Sequence, residues 1–457
     1  MHFPMSRLLP KIAPALLAML LCLLTVTETY ARKKAQATAT NYPYCTKKCR
    51  MDRSRINIGV YHLKPYATSE SHIRDLRDCG VDFVLCMRNE KPTLDLMYKY
   101  HVGAVLYDVL PQWWPRQKKA GEMEKIYPFK MYVKAAKKWK DHPAVWGMDI
   151  GDEPSALDFP YCGRLVREME KMFPNQFIYT CLYPNYASVA ENSDNLALSQ
   201  LGTSTYAEHI AAYCKHVPTD YICYDYYVYS SKNSLVPRAF ENLQVVADAC
   251  TGTQRSFWIT LQVNSKFAEL WTTENQLRYQ AYTAMAFGAE NIIWACYTLG
   301  WWKNQVVDIE GNKTEQYPKL QRVNAEIHRL SDHYMQYRRT NTAFVGFQGT
   351  EWIKGTHLAQ ADELNSMSFS HVRATDHTPL VIGSMLARNG EDRQALFICS
   401  ADDPYDKAPR QHTIQFQVKD RKVKAHGGQG EVPLTHEGNG LYTLQLQSNA
   451  GVLVEIE

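Results

Sequence analysis

Hydrophobic and polar positions follow two alternating patterns between residue 56 and about residue 340. Short apolar runs, rich in β-branched and aromatic residues, are followed by longer segments with apolar residues three and four positions apart. The first pattern predicts buried strands and the second predicts helices. The predicted strands cover residues 56–63, 81–87, 102–109, 145–150, 177–182, 221–226, 257–263 and 291–297.

Start and stop signals support the helical segments. A capping sequence at residues 69–72 opens one predicted helix and another at 272–276 opens a later one, while Gly80 and Gly288 follow their last turns. Residues 318–337 form the eighth predicted helix. Strands that alternate with helices imply a parallel sheet, and eight such units close a (β/α)8 barrel. We therefore expect an α/β fold with a TIM barrel.

The pattern changes after about residue 340. Short segments such as 394–398 and 442–446 alternate apolar and polar residues, and Asn389-Gly390 and Asn439-Gly440 are typical of tight turns. This predicts a small antiparallel β-sandwich that follows the barrel. The expected domains are a barrel over residues 56–340 and a sandwich over residues 341–457.

The first thirty-one residues resemble an export signal. Arg7 and Lys11 precede an apolar run over residues 12–26, and small residues lead up to Ala31. Cleavage is expected after Ala31, or alternatively after Ala37. Residues 32–55 are expected to form an N-terminal extension before the barrel. The apolar run is too short for a membrane span. We therefore expect an exported protein, periplasmic or extracellular, with no membrane span.

Composition excludes several classes of protein. The chain has 457 residues, of which 45% are hydrophobic, and its 51 Lys and Arg against 47 Asp and Glu leave a formal net charge of +4. These values exclude a disordered chain, a coiled coil and a collagen-like chain. The basic residues are scattered rather than clustered, so a nucleic-acid partner is not expected.

The cysteines do not indicate a metal site. Of the 12 cysteines, Cys22 leaves with the predicted signal, so an odd number remains and they cannot all pair within the chain. Cys45 and Cys49 could form a local disulfide or stay as free thiols, but they lack a second Cys/His pair at ligand spacing. No metal or other cofactor is expected. The cysteines within apolar runs are expected to be buried: Cys86, Cys181, Cys223 and Cys296.

The strongest chemical signal ends the fourth predicted strand, where residues 145–155 read VWGMDIGDEPS. Active sites of such barrels lie at the carboxyl ends of the strands. Because side chains alternate along a strand, Asp149 and Glu153 share a face, and Glu153 would stand at the barrel mouth if that face points inward. Acids beside buried apolar residues are costly to fold. The pattern therefore favours a functional Glu153, whereas Asp152 could instead cap the next helix.

An eight-stranded barrel with Glu-Pro at the end of strand four resembles the clan A glycoside hydrolases, and the appended sandwich resembles that of family 42-type β-galactosidases. The resemblance implies that Glu153 is the general acid, which protonates the leaving oxygen of a glycosidic bond. Two positions depart from the clan's pattern. Gln262 stands at the end of strand seven where the clan has its nucleophilic Glu, and Asp152 replaces the clan's Asn.

Two mechanisms follow from these departures. The adjacent Asp152-Glu153 pair resembles families 20 and 123, in which the acetamido group of an N-acetylhexosaminide replaces the nucleophile and the Asp orients it. Alternatively, Asp225 near the end of strand six, or Asp108 at the end of strand three, supplies a second carboxylate or binds substrate hydroxyls. A carboxylate separation of about 5–5.5 Å suits a retaining enzyme and about 6.5–9.5 Å an inverting one.

Aromatic residues crowd the predicted barrel mouth and indicate a carbohydrate partner, an oligo- or polysaccharide, because sugar rings stack on aromatic faces. A non-catalytic glycan-binding barrel is the competing interpretation, supported by Gln262, which is also a candidate for contact with the substrate. A third interpretation is a barrel enzyme that acts on substrates other than sugars. The sequence shows no phosphate-binding glycine loop that would support it. The aromatic and histidine candidates for substrate contact are Tyr61, His62, Trp113, Trp114, Tyr183, Tyr227, Tyr297, Trp301 and Trp302.

Overall fold

The computed structural model describes residues 50–107, 120–187, 199–229, 231–236, 238–347, 356–366, 368–406, 408–419 and 421–456. The predicted export signal and several predicted functional residues lie outside the described residues: Cys45, Cys49, Asp108, Trp113 and Trp114. Of the helices in the described residues, none combines the length and the apolar content needed to cross a lipid bilayer.

Residues 57–295 contain the strands of a parallel eight-stranded sheet that curls into a barrel. Each strand is buried along nearly its whole length, which explains why the apolar runs in the sequence are almost continuous. The expected TIM barrel is therefore confirmed. Its strands are β1 (Asn57–Leu63), β2 (Phe83–Met87), β3 (Gly103–Leu106), β4 (Val145–Asp152), β5 (Phe177–Cys181), β6 (Tyr221–Asp225), β7 (Ser256–Gln262) and β8 (Ala289–Ala295).

The strand order closes the barrel between β5 and β6. Hydrogen-bonded neighbours run in the order β5-β4-β3-β2-β1-β8-β7-β6. A parallel bridge between Leu182 and Tyr224 joins the two ends, and the Leu182 amide donates to the carbonyl of Cys223 at 2.8 Å. The carboxyl ends of all eight strands therefore surround one opening, the barrel mouth.

Helices pack around the barrel. Thr273 forms the capping box predicted from the sequence, and Thr205 forms a further one. Ser69 stands at the expected N-cap, but its side chain makes no capping hydrogen bond. Gly80 and Gly288 have φ of 78° and 91°, the left-handed conformation expected where a helix turns into a strand. The helices are α1 (Glu70–Asp78), α2 (Lys91–Lys99), α3 (Met123–Ile126), α4 (Phe129–Trp139), α5 (Phe159–Met172), α6 (Tyr206–His216), α7 (Ala239–Thr253), α8 (Glu274–Ala286) and α9 (Gln316–Tyr334), with 3-10 turns at Pro65–Ala67 and Ala156–Asp158.

The carboxyl-terminal strands form two sheets, a seven-stranded sheet and a four-stranded sheet, which confirms the expected sandwich. Their pairing is antiparallel apart from β10 on β9. The larger sheet runs β10-β9-β12-β13-β19-β15-β16 and the smaller one runs β11-β14-β18-β17. Their strands are β9 (Tyr337–Val345), β10 (Ala359–Ala361), β11 (Ser370–Ala374), β12 (Leu380–Ala387), β13 (Gln394–Ser400), β14 (Gln411–Gln417), β15 (Val423–Gly427), β16 (Gly430–Glu431), β17 (Thr435–Gly438), β18 (Leu441–Gln447) and β19 (Gly451–Ile456).

The larger sheet has one face on the barrel and the other on the smaller sheet. Phe397 and Leu453 belong to the core that also fills the space between barrel and helices, whereas Ile398 and Val454 belong to the core between the two sheets. This alternation along β13 and β19 follows from the two-residue period of a strand. The sandwich is therefore fixed against the barrel through an apolar face.

Aromatic rings fill the barrel interior below the mouth. Trp258 stacks on Tyr221 with ring centroids 4.1 Å apart, and Phe177 meets Trp258 edge to face at 5.3 Å. The cysteines predicted to be buried lie in this same interior cluster and are free thiols: Cys86, Cys181, Cys223 and Cys296. These side chains therefore fill the barrel interior below the mouth.

Candidate active site

A cavity of about 610 Å³ opens at the carboxyl ends of the barrel strands. A volume of this size is typical of pockets that enclose a small molecule or one part of a polymer. The lining includes carboxyl, aromatic and thiol groups and one lysine: Tyr61, His62, Lys64, Cys86, Tyr107, Asp149, Asp152, Glu153, Cys181, Tyr186, Asp225, Tyr227, Gly300, Trp301 and Trp302.

Strand β4 brings three acids to this cavity. The pairing of β4 with β5 shifts register between Asp149 and Asp152, and the Glu153 amide donates to the carbonyl of Cys181 at 2.9 Å. Strict alternation predicts that Asp152 points away from Glu153. The irregularity breaks that alternation, so both neighbours line the cavity together with Asp149, whose Oδ1 accepts from the Gly151 amide at 3.0 Å.

Backbone strain is concentrated at the same cavity. Glu153 has φ of 51°, a left-handed conformation that non-glycine residues seldom adopt. Three other lining residues, His62, Cys86 and Trp302, have φ of 66°, 56° and 65°. Such conformations cost roughly 1–3 kcal/mol each and cluster at functional sites, where the surrounding structure holds them. The folded chain therefore stabilises a specific placement of Glu153 against its local preference.

The carboxyl groups of Asp152, Glu153 and Asp225 perturb one another. Burial, with the neighbouring charges of Asp225 and Asp152, holds the pKa of Glu153 well above its usual range. Burial raises the pKa of Asp152 to about 6. Burial and the charge of Asp152 raise the pKa of Asp225 to about 7, although a hydrogen bond from Tyr227 opposes this shift. Within the described residues, none of the three carboxyls has a lysine or arginine partner.

These pKa shifts favour the protonated form of all three carboxyls. Glu153 holds its proton to a higher pH than an ordinary glutamic acid does, and Asp152 and Asp225 have pKa values raised to about 6 and about 7. Groups able to give and take protons near neutral pH therefore stand together in one cavity. Titratable groups with strongly shifted pKa values are typical of enzyme active sites.

An aromatic cluster lines the same cavity. The ring of Tyr227 lies 5.7 Å from that of Trp301 and 5.1 Å from that of Trp302, while Tyr61 and His62 lie 6.1 and 5.4 Å from Trp301. These faces can stack on the apolar face of a sugar ring.

Two buried polar atoms at the cavity have no hydrogen-bond partner among the described residues. They are the indole Nε1 of Trp301, a donor, and Oδ1 of Asp225, an acceptor. Buried polar atoms in folded proteins are nearly always satisfied by protein, water or a ligand. The site therefore offers one donor and one acceptor to a hydroxyl-bearing ligand.

The structure brings together eight of the candidates from the sequence: Tyr61, His62, Asp152, Glu153, Asp225, Tyr227, Trp301 and Trp302. Three other candidates do not line the cavity. Gln262 is buried and binds the backbone, since its Oε1 accepts from the Tyr229 amide at 3.1 Å and its Nε2 donates to the Asn264 carbonyl at 2.9 Å. Tyr183 and Tyr297 pack into the apolar core between the strands and the helices.

Sequence reasoning did not name seven of the lining residues as binding residues: Lys64, Cys86, Tyr107, Asp149, Cys181, Tyr186 and Gly300. Most of them lie at the end of a predicted strand or within a few residues of it, so position alone was an available signal. The cysteines were interpreted as buried apolar residues, and they are buried, yet Cys86 and Cys181 also reach the cavity wall. Among the described residues, the side chains that lie close enough together to share a metal ion are not at this cavity.

A second cavity, of about 620 Å³, lies outside the barrel between strands β6 and β7 and helices α7 and α8. Its wall is mainly apolar, with side chains such as Ile259 and Leu261. Its charged residues, Arg238 and Glu241, bind each other at 2.6 Å. It therefore lacks the unpaired carboxyls that distinguish the cavity at the barrel mouth.

No family model matches the chain. No curated protein matches it by sequence either. Solved structures similar to it include the β-galactosidase of the psychrophilic Marinomonas ef1, at 11% identity and a TM-score of 0.44, with 61% of this chain and 62% of that chain covered. They also include the family 30 subfamily 8 xylanase Xyn30A of Clostridium acetobutylicum, at 9% identity and a TM-score of 0.41, with 88% and 96% covered.

The endoglucanase Cel5A of Pseudomonas stutzeri is similar at 13% identity and a TM-score of 0.39, with 59% of this chain and 94% of that chain covered. All three named structures are glycoside hydrolases. The activity of this protein has to be argued from its own cavity.

Proposed function

We propose that this protein is a glycoside hydrolase that cleaves O-glycosidic bonds of an oligo- or polysaccharide with Glu153 as general acid. The observation that carries the proposal is the set of three buried carboxyls at the barrel mouth, which have raised pKa values and no lysine or arginine partner among the described residues. The aromatic cluster in the same cavity supports a sugar as the ligand.

Glu153 donates its proton to the glycosidic oxygen while the bond from that oxygen to the anomeric carbon breaks. Asp225 is the second carboxylate. It either removes a proton from the attacking water or attacks the anomeric carbon itself, and its unpartnered Oδ1 supports either role. Gln262 cannot do so, because it is an amide and its polar atoms bind the backbone.

A second mechanism draws support from Asp152, which lines the cavity beside Glu153 because β4 is irregular at this point. An Asp next to the acid can accept the N–H of a 2-acetamido group and orient its oxygen toward the anomeric carbon. The substrate then supplies the nucleophile, and Asp225 binds hydroxyls instead. The protein would in that case be a β-N-acetylhexosaminidase.

The test is hydrolysis of paired aryl glycosides, 2-acetamido sugars against their 2-hydroxyl counterparts, by the wild type and its variants. Glu153→Gln should lower kcat by about 10²–10⁴-fold on the active set while circular dichroism and melting temperature show a folded protein. Asp225→Asn should lose a similar factor on 2-hydroxyl substrates. Glu310→Gln, an exposed carboxyl outside the cavity, is the matched control and should leave kcat unchanged.

Each outcome separates the alternatives. Cleavage confined to the acetamido set, with loss in Asp152→Asn and retention in Asp225→Asn, would select the substrate-assisted mechanism. An active Glu153→Gln variant would reject Glu153 as the acid. Tight binding of oligosaccharides without product, in a folded wild type, would indicate the glycan-binding alternative.

The pH profile and the product configuration sharpen the assignment. Since Asp225 has to be ionised and its pKa is raised to about 7, kcat/KM should fall as the pH drops below about 7. The anomer first formed, followed by NMR, distinguishes a retaining from an inverting enzyme. We further propose that the mature protein acts outside the cytoplasm, as its predicted export signal indicates.

A further inference from the structure

Two histidines and a glutamate meet where the barrel joins the sandwich. His333 lies in the last turn of α9, His426 in β15 and Glu455 in β19. Strands β15 and β19 are paired antiparallel, with His426 opposite Leu453 and Lys424 opposite Glu455. His426 and Glu455 are therefore diagonal neighbours on one sheet face, within reach of each other's side chains.

The place of this cluster is set by contacts beside it. One turn before His333, Arg329 donates to the carbonyl of Gly428 at 2.6 Å, and Gln429 donates to Glu326 at 2.9 Å. Helix α9 is thus bound to the β15–β16 hairpin by polar contacts next to the cluster. The positions of the three side chains follow from regular elements rather than from a loop.

The distances between the polar atoms suit a shared cation. Nδ1 of His333 lies 3.6 Å from Oε2 of Glu455, and Nε2 of His426 lies 3.3 Å from the same oxygen. One atom from each of the three residues can be chosen so that all lie within 4.8 Å of one another. Ligand atoms about 2.0–2.1 Å from a tetrahedral zinc ion are about 3.3–3.4 Å apart.

The ring nitrogen that faces Glu455 is unused. Nε2 of His426 is buried and forms no hydrogen bond with any described residue, because its approach to Glu455 does not have hydrogen-bond geometry. A buried ring nitrogen that has no hydrogen bond is left to bind a ligand, and imidazole nitrogens are common metal ligands.

We propose that His333, His426 and Glu455 form a binding site for a divalent transition-metal ion of the zinc class, which links the last barrel helix to the sandwich. Two imidazoles and one carboxylate suit such an ion and are poor ligands for Mg²⁺ or Ca²⁺, which prefer oxygen. The fourth position is left for water. This site does not rest on the proposed activity, since it lies away from the residues at the barrel mouth.

Binding requires a small movement of one side chain. The His333 and His426 rings are stacked with centroids 3.5 Å apart and an angle of 15° between their planes. In-plane lone pairs of stacked rings run side by side, so one ring has to turn before both nitrogens face one ion. The His333 side chain is 38% exposed and has room to turn, whereas His426 is held in the sheet.

The experiment is titration of metal-free full chain with ZnCl₂ by calorimetry and by melting temperature, beside MgCl₂ and CaCl₂. We expect one Zn²⁺ bound at this site, a rise in melting temperature with Zn²⁺, and no rise with Mg²⁺ or Ca²⁺. His426→Gln should weaken that binding by at least about tenfold and remove the rise. His436→Gln, an exposed histidine of the other sheet, is the matched control and should behave as the wild type.

His333→Ala keeps the test decisive if His426→Gln does not fold, because His333 is partly exposed at a helix end. It should fold and lose the Zn²⁺-dependent rise in melting temperature. The proposal is overturned if Zn²⁺ does not bind, or if Zn²⁺ affinity and the rise in melting temperature are the same in His333→Ala, His426→Gln and the wild type.

Discussion

Buried carboxyls at the two ends of the barrel are treated in opposite ways. At the amino end of β2, Asp82 accepts hydrogen bonds from Arg55, from Arg77 at 3.0 Å and from the Ile58 amide at 2.9 Å. Near the amino end of β8, Glu290 accepts from Ser256 and from Arg388, each at 2.6 Å. Every one of these contacts gives the buried acid a hydrogen-bond donor, and the arginines also supply an opposite charge.

At the carboxyl ends of the strands, the same residue types have no lysine or arginine partner among the described residues. Asp152, Glu153 and Asp225 repel one another when ionised, and their pKa values are raised. The carboxyls at the amino end stabilise the folded barrel through their partners. Those at the mouth destabilise it, but their raised pKa values suit them to proton transfer. This division between a stabilising end and a reactive end is general for barrels of this kind.

Removing a paired carboxylate at the amino end of the barrel should have the largest effect on stability. Asp82→Asn removes the charge that Arg55 and Arg77 share and should lower the free energy of unfolding by about 3 kcal/mol. Urea denaturation of wild type and variant measures the difference. Asp392→Asn, at an exposed turn, is the control and should change stability by less than about 0.5 kcal/mol. An equally small change in Asp82→Asn would contradict the contrast between the two ends.

Placing a new carboxylate at the end of β7 should not create a working one. Gln262→Glu has the same shape but turns the donor to the Asn264 carbonyl into an acceptor and buries a charge, so we expect a loss of about 2–3 kcal/mol. Hydrolysis rates should not rise, because this side chain does not line the cavity. Gln360→Glu in the exposed strand β10 is the control. Higher activity in Gln262→Glu would show that strand seven does reach the substrate.

Removing an unpaired acid should stabilise the protein, but only at higher pH. The folded pKa of Asp225 is raised to about 7 from an ordinary value of 3.8, so the folded state holds the proton more tightly than the unfolded chain does. The resulting stability is fully present below about pH 4 and is lost as the pH rises through 7. At pH 8, Asp225→Asn should therefore have a higher melting temperature than the wild type. Its free energy of unfolding should be larger by about 1–2 kcal/mol.

At pH 4 the two proteins should melt alike, since the wild-type carboxyl is then neutral as well. Asp152→Asn should show the same trend with a midpoint near pH 6. A gain in stability that is equal at pH 4 and pH 8 would point to better packing of the amide instead. A loss at pH 8 would mean that Asp225 has a cationic partner.

The backbone strain at Glu153 should give the smallest effect. Because φ is 51° at this residue, Glu153→Gly should be more stable than Glu153→Ala by about 1 kcal/mol, the reverse of the order expected in a regular strand. Both variants lack the carboxyl, so the difference isolates the backbone. Melting temperatures of the two variants measure it, and the opposite order would show that the residue is not held in this conformation.

The sequence was most informative where a local pattern repeats. Each predicted barrel strand is present within a few residues of its expected bounds, and Thr273 caps α8 as its capping sequence predicts. Apolar runs between helical segments indicate a parallel barrel because both faces of each strand are buried, so that successive side chains are all apolar. The position of Glu153 at the end of β4 follows directly from this repeat.

Residues of the site that depend on irregular geometry could not be read in this way. Alternation along β4 predicts that Asp152 points away from Glu153. A shift in register against β5 breaks this alternation, and both side chains line one cavity. Gln262 occupies the expected position on β7, yet its amide binds the backbone of Tyr229 and Asn264. Neither the register shift nor these backbone contacts leaves a periodic signal in the sequence.

The sequence by itself determined the strands, the helices, the order of the two domains and the placement of Glu153 at the barrel mouth, since each depends on neighbouring residues along the chain. Tertiary structure alone decided which carboxyls stay unpaired. It also decided which candidates reach the cavity, and that His333, His426 and Glu455 meet. These features join residues far apart in the chain, such as His333 and Glu455, which are 122 positions apart, and their energies depend on burial and charge that only the folded chain creates.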